Sequence, residues 1–514
     1  MSKGKKQALT LAGLCVLMAA AIVLYFLVPQ GEDENTGEQE STSETLRVFD
    51  VEKDNITAIS VSREGEEPIS LHKEEAGWKL EDLPEAPLDQ ETVESMFQAL
   101  SPVTATKELA GDSGSRQEYG LEKPQMTVKI TTSDGKSHEI YFGDTVPVGG
   151  GNYGMTAEND KIYTFADTLY NSLDVEKNSL ISKEEIAEIN ADYLTKISVK
   201  NKNKTTFLAE IVSDDKKVDA YTNWVITKPY KKPLAGSSTN DWATLQGFYT
   251  TVSFDSLVEY QCKDKKKYGL DQPAAEIQVG YFDLKDGYEI PEEEEDSQSV
   301  STVGKSTNKA NVVPRKYQDS KGYTLYVGKK DENGDYYVSL KGSEHVYTLS
   351  ADKAESMMGA DAYTYMDHSV YSTLATDIKG YEVTIGRSGK KITVTHDSEK
   401  DEDGKEKNIW TLNGKTVPAD KEDTFLTPYS KAFLLEFTSA AKDSVKPESK
   451  DPVLTAVYHE EGRDVTVRYL PYDGTNFYRV DKDGMDYFLV DKMSVDAVIE
   501  AFESLSDLDL QEKK

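Results

Sequence analysis

The hexapeptide YGLEKP at residues 119–124 recurs as YGLDQP at residues 268–273. Each copy joins a glycine, which tolerates left-handed backbone angles, to a proline, which restricts the preceding residue to extended geometry. This combination is typical of a turn that launches a strand, and alternating apolar residues follow at 126–130 and 275–279. Neither copy contains a nucleophile or a cluster of metal ligands. The repeat therefore predicts an architecture rather than a reaction.

Around the two copies the same order of patterns recurs: an opening strand, a tryptophan-bearing strand, an apolar helix, the turn and hairpins. In the first unit these elements are predicted at 56–62, 69–71, 78–80, 89–100, 126–130, 138–143, 152–156, 161–165 and 168–173. The clearest matches in the second unit are at 193–199, 224–226, 242–252, 275–279 and 323–328. A third, degenerate unit is predicted at 381–385, 410–412, 425–434, 454–458, 465–469, 477–480, 487–490 and 495–502. It keeps Asp451-Pro452 but lacks the Tyr-Gly-Leu part of the motif.

These patterns predict an α+β fold made of tandem repeats of a mainly antiparallel β unit with one or two packed helices. The predicted organisation is an N-terminal transmembrane anchor (1–29), a disordered acidic tether (30–47), repeat 1 (48–185), repeat 2 (186–372, with a disordered acidic insertion at 286–320) and repeat 3 (373–510). Trp78, Trp224 and Trp410 recur at one position and are expected in the cores rather than on a ligand platform.

The N-terminus predicts the anchor. Lys3, Lys5 and Lys6 precede an uncharged run at 8–28, long enough at about 1.5 Å per residue to cross a hydrocarbon core roughly 30 Å thick. Positive residues stay cytoplasmic, so the bulk of the chain is expected outside the cell membrane. Two alternatives stay open: cleavage as a signal peptide near the small residues 18–21, and lipid attachment at Cys15.

Composition narrows the classes of function. The formal charge of −33 argues against nucleic-acid binding, which needs a basic surface. No phosphate-binding loop and no Gly-x-Ser-x-Gly element occurs, so ATP hydrolysis within this chain is not expected. With one cysteine, Cys262, outside the apolar run, an intramolecular disulfide is excluded in the predicted exported part, and a small buried residue is expected there rather than a reactive thiol.

No catalytic, cofactor-binding or metal-ligating residue is predicted. The six histidines are scattered, and the acidic turns at 331–335 and 401–404 are better explained as solvated turns than as calcium loops. A cluster of tyrosines at 363, 365 and 371 is expected to be exposed, and aromatic surfaces of this kind stack on sugars. A glycan-binding module is therefore the second hypothesis. A glycosidase with a carboxylate pair is the third, because the chain has 92 acidic residues.

The order strand, Trp-x-Leu, apolar helix, Tyr-Gly-Leu-acid-x-Pro and Ile-x-Phe-Gly strand resembles a bacterial envelope family designated domain of unknown function four-three-four-zero (DUF4340). The resemblance covers nearly all of the predicted exported chain and is most specific in the first two units. Members are often encoded beside ABC transporters of the gliding-motility type. The resemblance thus implies an envelope-side accessory to an ABC permease and brings no catalytic residues. Binding to a cell-wall polymer is the alternative.

Overall fold

A computed structural model describes residues 46–109, 113–219, 222–237, 239–290, 309, 312–400, 404, 406–442, 445, 449–473, 475–505, 508 and 510. The predicted anchor at 8–28 and residues 30–45 of the predicted tether lie outside these ranges. None of the helices within the ranges is long and apolar enough to cross a membrane. Contact density divides the chain into two units, one of residues 1–73 and 94–174, the other of residues 74–93 and 175–514.

The first large sheet is antiparallel and has eight strands. The first part of the chain contains the strands β1 (Leu46–Phe49), β2 (Ile56–Arg63), β3 (Ile69–Glu74), β4 (Gly77–Leu80), β5 (Val103–Ala105), β6 (Lys107–Glu108), β7 (Met126–Thr132), β8 (Ser137–Thr145), β9 (Asn152–Thr156) and β10 (Asn159–Phe165), and the helices α1 (Gln90–Ala99) and α2 (Asp167–Leu173). The sheet order is β4-β3-β2-β7-β8-β9-β10-β6, while β1 pairs separately with β5.

The second large sheet repeats this order with an added edge strand. Its elements are β11 (Leu194–Asn201), β12 (Lys204–Ile211), β13 (Trp224–Lys228), β14 (Leu234–Ala235), β15 (Leu257–Glu259), β16 (Ala275–Leu284), β17 (Gln318–Lys330), β18 (Tyr336–Leu340) and β19 (Val346–Leu349), with helices α3 (Asn240–Thr250), α4 (Ala351–Met358) and α5 (Ala362–Tyr365). The order is β14-β13-β12-β11-β16-β17-β18-β19-β15. Apart from the added edge strand β14, the order of strands is the same as in the first sheet.

The third large sheet has the same nine-strand order as the second. It consists of β20 (Gly380–Ile385), β21 (Lys390–Lys400), β22 (Glu406–Leu412), β23 (Lys415–Thr416), β24 (Ser439–Ala440), β25 (Leu454–Glu460), β26 (Arg463–Pro471), β27 (Phe477–Lys482) and β28 (Met485–Asp491), with helices α6 (Glu422–Phe433) and α7 (Lys492–Ser504). The order is β23-β22-β21-β20-β25-β26-β27-β28-β24. The predicted antiparallel α+β repeats are therefore confirmed, including the degenerate third one.

Strand register is the same at the centre of all three sheets. In each sheet the last residue of the opening strand pairs with the first residue of the strand that follows the turn. The three pairs are Arg63 with Met126, Asn201 with Ala275, and Ile385 with Leu454. A shift by one residue would exchange the buried and exposed faces of a strand. The shared register therefore places equivalent apolar side chains on the core face of each sheet.

The Tyr-Gly-Leu motif ends a short 3₁₀ turn in front of the central strand. Gly120 and Gly269 both have positive φ, +70° and +72°, which supports the predicted use of glycine at this turn. The neighbouring strand approaches the turn so closely that a Cβ on Gly143 would overlap the carbonyl oxygen of Tyr119, and one on Gly328 that of Tyr268. Each turn thus requires a second glycine on the adjacent strand.

The third repeat lacks both parts of this contact. Leu454 pairs with Tyr469, just as Met126 pairs with Phe142 and Ala275 with Val327. The residue after Phe142 or Val327 is glycine, whereas the residue after Tyr469 is Leu470. The third repeat therefore has neither the turn motif nor the partner glycine, yet its strand order is the same.

The tryptophans and the cysteine lie in the cores, as expected. Trp78 is 6% exposed, and Trp224 and Trp410 are each 2% exposed. The Trp410 Nε1 donates to the Glu422 Oε1 at 2.7 Å, which satisfies its polar group. Cys262 is buried and free, and its burial, together with Glu259, raises the pKa of its thiol. A raised pKa disfavours the reactive thiolate.

Two predicted boundaries differ from the structure. The tether predicted to end at residue 47 instead ends before β1, because Leu46 pairs with Ala105. The insertion predicted at 286–320 includes the start of β17, where Asp319 pairs with Asp283. Polar side chains hid the start of β17, since backbone pairing there does not depend on an apolar pattern. Residues 291–308 of that insertion lie outside the described ranges.

Candidate functional site

The acidic turn considered for calcium is a hairpin turn. The Asp331 Oδ1 accepts hydrogen bonds from the backbone amides of Asn333 and Asp335, both at 2.9 Å, so the carboxylate caps its own turn. Gly334 supplies the positive φ, +96°. Within the described ranges no group of three or more His, Cys, Asp or Glu side chains is placed to hold a metal ion. Residues 401–403 lie outside those ranges.

The expectation of an exposed tyrosine cluster is wrong. Tyr371 is 3% exposed and stacks on Tyr458 with ring centroids 3.8 Å apart. Tyr363 and Tyr365 are half-buried, and the Tyr363 hydroxyl donates to the Phe437 carbonyl at 3.2 Å. These residues belong to the segment that joins the second and third sheets. Their rings are used in protein packing, which the spacing of tyrosines alone did not indicate.

A cavity of about 260 Å³ lies beside this segment, between loops of the second and third sheets. We call it the junction cavity. Five cationic side chains line it: Lys216, Lys217, Lys232, Arg463 and Lys482. Three aspartates also line it: Asp219, Asp367 and Asp483. In a chain with a net charge of −33, a cavity lined by more cations than anions is an exception.

Tight turns position the cavity's side chains. Asp483 adopts a positive φ of +51° in the turn between β27 and β28, and its Oδ1 accepts from the Thr466 amide at 2.9 Å. This turn presents the neighbouring Lys482. From the second sheet, the loop between β13 and β14 is tied down because the Lys232 amide donates to the Tyr487 hydroxyl at 3.0 Å. Lysines from both sheets therefore face one space.

The aspartates that line the cavity already accept hydrogen bonds within the protein. The Asp219 Oδ1 accepts from the Thr222 amide at 2.9 Å, and the Asp367 Oδ1 from the Ser369 amide at 3.0 Å. The aspartates thus fix the loops that form the wall of the cavity.

Glu460 lies behind the cavity and neutralises Arg463. Its Oε2 accepts from the Arg463 Nε at 2.6 Å, and its Oε1 accepts from the hydroxyls of Tyr371 and Thr373, both at 3.0 Å. The Arg463 guanidinium also donates to the Val218 carbonyl at 3.3 Å, across the junction. Counted together with Glu460, the cavity therefore has five cationic side chains and four carboxylates, a formal charge of one positive unit.

Lys482 has no comparable partner. Within the described part of the chain its ammonium makes no hydrogen bond or ion pair, and it lies 6.0 Å from the centroid of the Tyr371 ring. Burial lowers the pKa of Lys482, and the carboxylates of Asp219, Asp367 and Glu460 oppose that shift. A half-buried ammonium without a hydrogen-bonded counter-ion is costly. The junction cavity therefore has unused capacity for an anion.

A larger cleft of about 960 Å³ lies along residues 176–186 and 252–257. Its lysine is used by the protein, since the Lys183 ammonium donates to the carbonyls of Phe254 and Asp255 at 2.8 and 2.9 Å. The Tyr347 hydroxyl accepts from the Glu184 amide at 3.1 Å, and burial raises the pKa of Tyr347 to about 12. The cleft is the larger of the two candidate ligand sites, but among the residues that the structure describes only the junction cavity contains a half-buried ammonium without a hydrogen-bonded counter-ion. Such a charge indicates a ligand more specifically than volume does, because a wide groove can be stable when it is filled with water alone.

Sequence reasoning did not find the junction cavity. Its lysines come from loops far apart in the chain, and no single stretch carries the pattern. The lysine pairs at 216–217 and 231–232 are no guide, because similar runs occur at 265–267, 329–330 and 390–391. The convergence of the other lining lysines with Lys482 depends on the contact between the second and third sheets.

No curated protein matches the chain. A solved structure of a protein with unknown function from the DUF3598 family of Nostoc punctiforme is similar at 10% identity over 58% of this chain and 92% of its own, with a TM-score of 0.08, and carries no argument. The family described as "Domain of unknown function (DUF4340)" matches residues 78–273 and 224–444, two overlapping segments that each begin at a recurring tryptophan. The chain belongs to the DUF4340 family.

Proposed function

We propose that this protein is a membrane-anchored, extracytoplasmic and non-enzymatic accessory of an ABC-type transport complex in the bacterial cell envelope. The observation that carries the proposal is the threefold use of one strand order, which offers several related surfaces to a partner. The apolar run at 8–28 behind three lysines supports an anchor. One predicted helix cannot form a pore, so presentation of surfaces suits the chain better than transport.

The topology is tested by proteolysis of intact, wall-stripped cells. Because Lys3, Lys5 and Lys6 stay cytoplasmic under the positive-inside rule, protease added outside is expected to digest the large folded part. Immunoblotting measures the loss, and a cytoplasmic protein in the same cells is the control. Full protection of the folded part would contradict the topology, and a mature N-terminus near residue 22 would show cleavage.

Binding to a wall polymer is a second candidate, and the cation-lined junction cavity favours it. Many envelope polymers carry phosphate or carboxylate groups, which lysines attract electrostatically. This role needs no transporter. Recovery of a permease with its ATPase after crosslinking supports the accessory role, whereas retention of the protein on purified wall material, with no membrane partner recovered, supports polymer binding.

A further inference from the structure

We propose that the junction cavity is a binding site for a phosphate group, with the ammonium groups of Lys482 and Lys232 as its principal contacts. The first argument is position. Lys482 is the last residue of β27, next to the turn that leads to β28. The end of the Lys232 side chain lies beside Gly484 of that turn, 3.7 Å from where a Cβ on Gly484 would lie. Two ammonium groups from different sheets therefore approach the same space.

The second argument is that both ammonium groups are available. In the described ranges neither Lys482 nor Lys232 makes an ion pair or a side-chain hydrogen bond, although 24 other pairings between cationic and acidic side chains are recorded there. In a protein with 92 acidic residues, lysines are readily paired. Lys232 is exposed, so its lack of a partner is ordinary for a surface lysine, but Lys482 is half-buried. A charge without a hydrogen-bonded counter-ion at that position is costly, and a ligand would relieve the cost.

The third argument concerns charge and size. Counted together with Glu460, the five cationic side chains and four carboxylates at the cavity leave one formal positive charge. A phosphodiester carries one negative charge, and a phosphate monoester carries about −1.5 to −2 at pH 7. A volume of about 260 Å³ lies near the lower limit of small-molecule sites, which suits one phosphate group rather than a whole sugar chain. Lysine binds phosphate well as a point charge.

The phosphate could be free or carried by an envelope polymer, and the chemistry recognised is the same in both cases. Binding here requires neither the predicted anchor nor a transporter, so its failure and the failure of the proposed function can be distinguished.

The test is isothermal titration of the full-length chain, in non-ionic detergent at fixed ionic strength, with inorganic phosphate and, separately, with poly(glycerol phosphate). We expect saturable binding of at least one probe, and a loss of about tenfold or more in affinity in Lys482→Met and in Lys232→Met. Lys415→Met, at an exposed lysine on the edge strand β23, is the matched control and is expected to bind like the wild type.

Stronger binding of inorganic phosphate would identify a free ligand, and stronger binding of the polymer would identify a polymer-borne one. Lys482→Met is expected to fold, because replacing a half-buried ammonium by an apolar side chain of similar length removes a desolvation cost. Thermal unfolding in the absence of phosphate checks that Lys482→Met is folded. If Lys482→Met does not fold, the affinity of Lys232→Met still tests the proposal. Absence of binding by both probes, or equal affinities in the wild type and both variants, would overturn the proposal.

Discussion

Replacing Trp224 with alanine is expected to lower the free energy of unfolding by about 3–5 kcal/mol, the usual cost of removing a buried aromatic side chain. Trp224 is 2% exposed, and its ring centroid lies 5.2 Å from that of Trp242. A Cβ on Gly236 would approach the Trp224 Cβ to 2.9 Å, so the backbone already packs tightly around the pair. Collapse into the cavity left by the substitution should be limited. Urea unfolding, followed by tryptophan fluorescence and hydrogen exchange, measures the loss.

Leu434→Ala is the matched control for Trp224→Ala. Leu434 is a large apolar residue that is 74% exposed at the end of α6, so its truncation should change stability by less than about 0.5 kcal/mol. Equal losses in the two variants would show that Trp224 is not a core residue. Such a result would also undermine the equivalence of Trp78, Trp224 and Trp410, on which the repeat alignment rests.

Replacing Gly328 with alanine is expected to destabilise the second repeat by about 1–3 kcal/mol or more, as for other overpacked sites. The new Cβ would overlap the Tyr268 carbonyl oxygen, and the next atoms of Leu270 lie 3.2 Å away. Relief requires the turn and β17 to separate, because the obstructing atom belongs to the backbone. Hydrogen exchange at the amides of Gly269 and Leu270, both donors in the turn, should accelerate most.

Gly247→Ala is the control for Gly328→Ala, because it makes the same chemical change in open space. Gly247 lies inside helix α3, and no heavy atom lies within 4 Å of its added Cβ. Alanine is a better helix former than glycine by about 1 kcal/mol, so this variant should be more stable than the wild type. The explanation of the paired glycines would be wrong if Gly328→Ala behaved like Gly247→Ala.

Much of the fold was accessible from sequence because its determinants are local. The glycine and proline of the two motifs, and the alternation in the strands that follow, each act over a few residues. Asp89 was predicted to cap a helix, and its Oδ1 accepts from the amides of Glu91 and Thr92 at 3.1 and 3.3 Å. Because the units repeat, the pattern recognised in the first unit also located the corresponding elements of the second and third.

The features that the sequence missed depend on contacts between distant segments. Tyr371 resembles an exposed tyrosine until Tyr458 and Glu460, from β25, cover it. The significance of Leu470 emerges only when strand register shows that it occupies the position of Gly143 and Gly328 in the other sheets. The junction cavity is of the same kind, because Lys232 lies in a loop of the second sheet and Lys482 at the end of a strand of the third. No local pattern encodes such convergence.

The central claim, that this protein is an extracytoplasmic accessory of an ABC-type transporter, is tested most directly by crosslinking in intact cells. Full-length protein is crosslinked from outside, solubilised and purified by an affinity tag, and its partners are identified by mass spectrometry. A second single-pass protein with an unrelated exported domain, expressed at the same level, controls for proximity in the membrane. We predict specific recovery of a permease with its ATPase. Recovery of wall material alone, or of the same proteins with the control, would contradict the account.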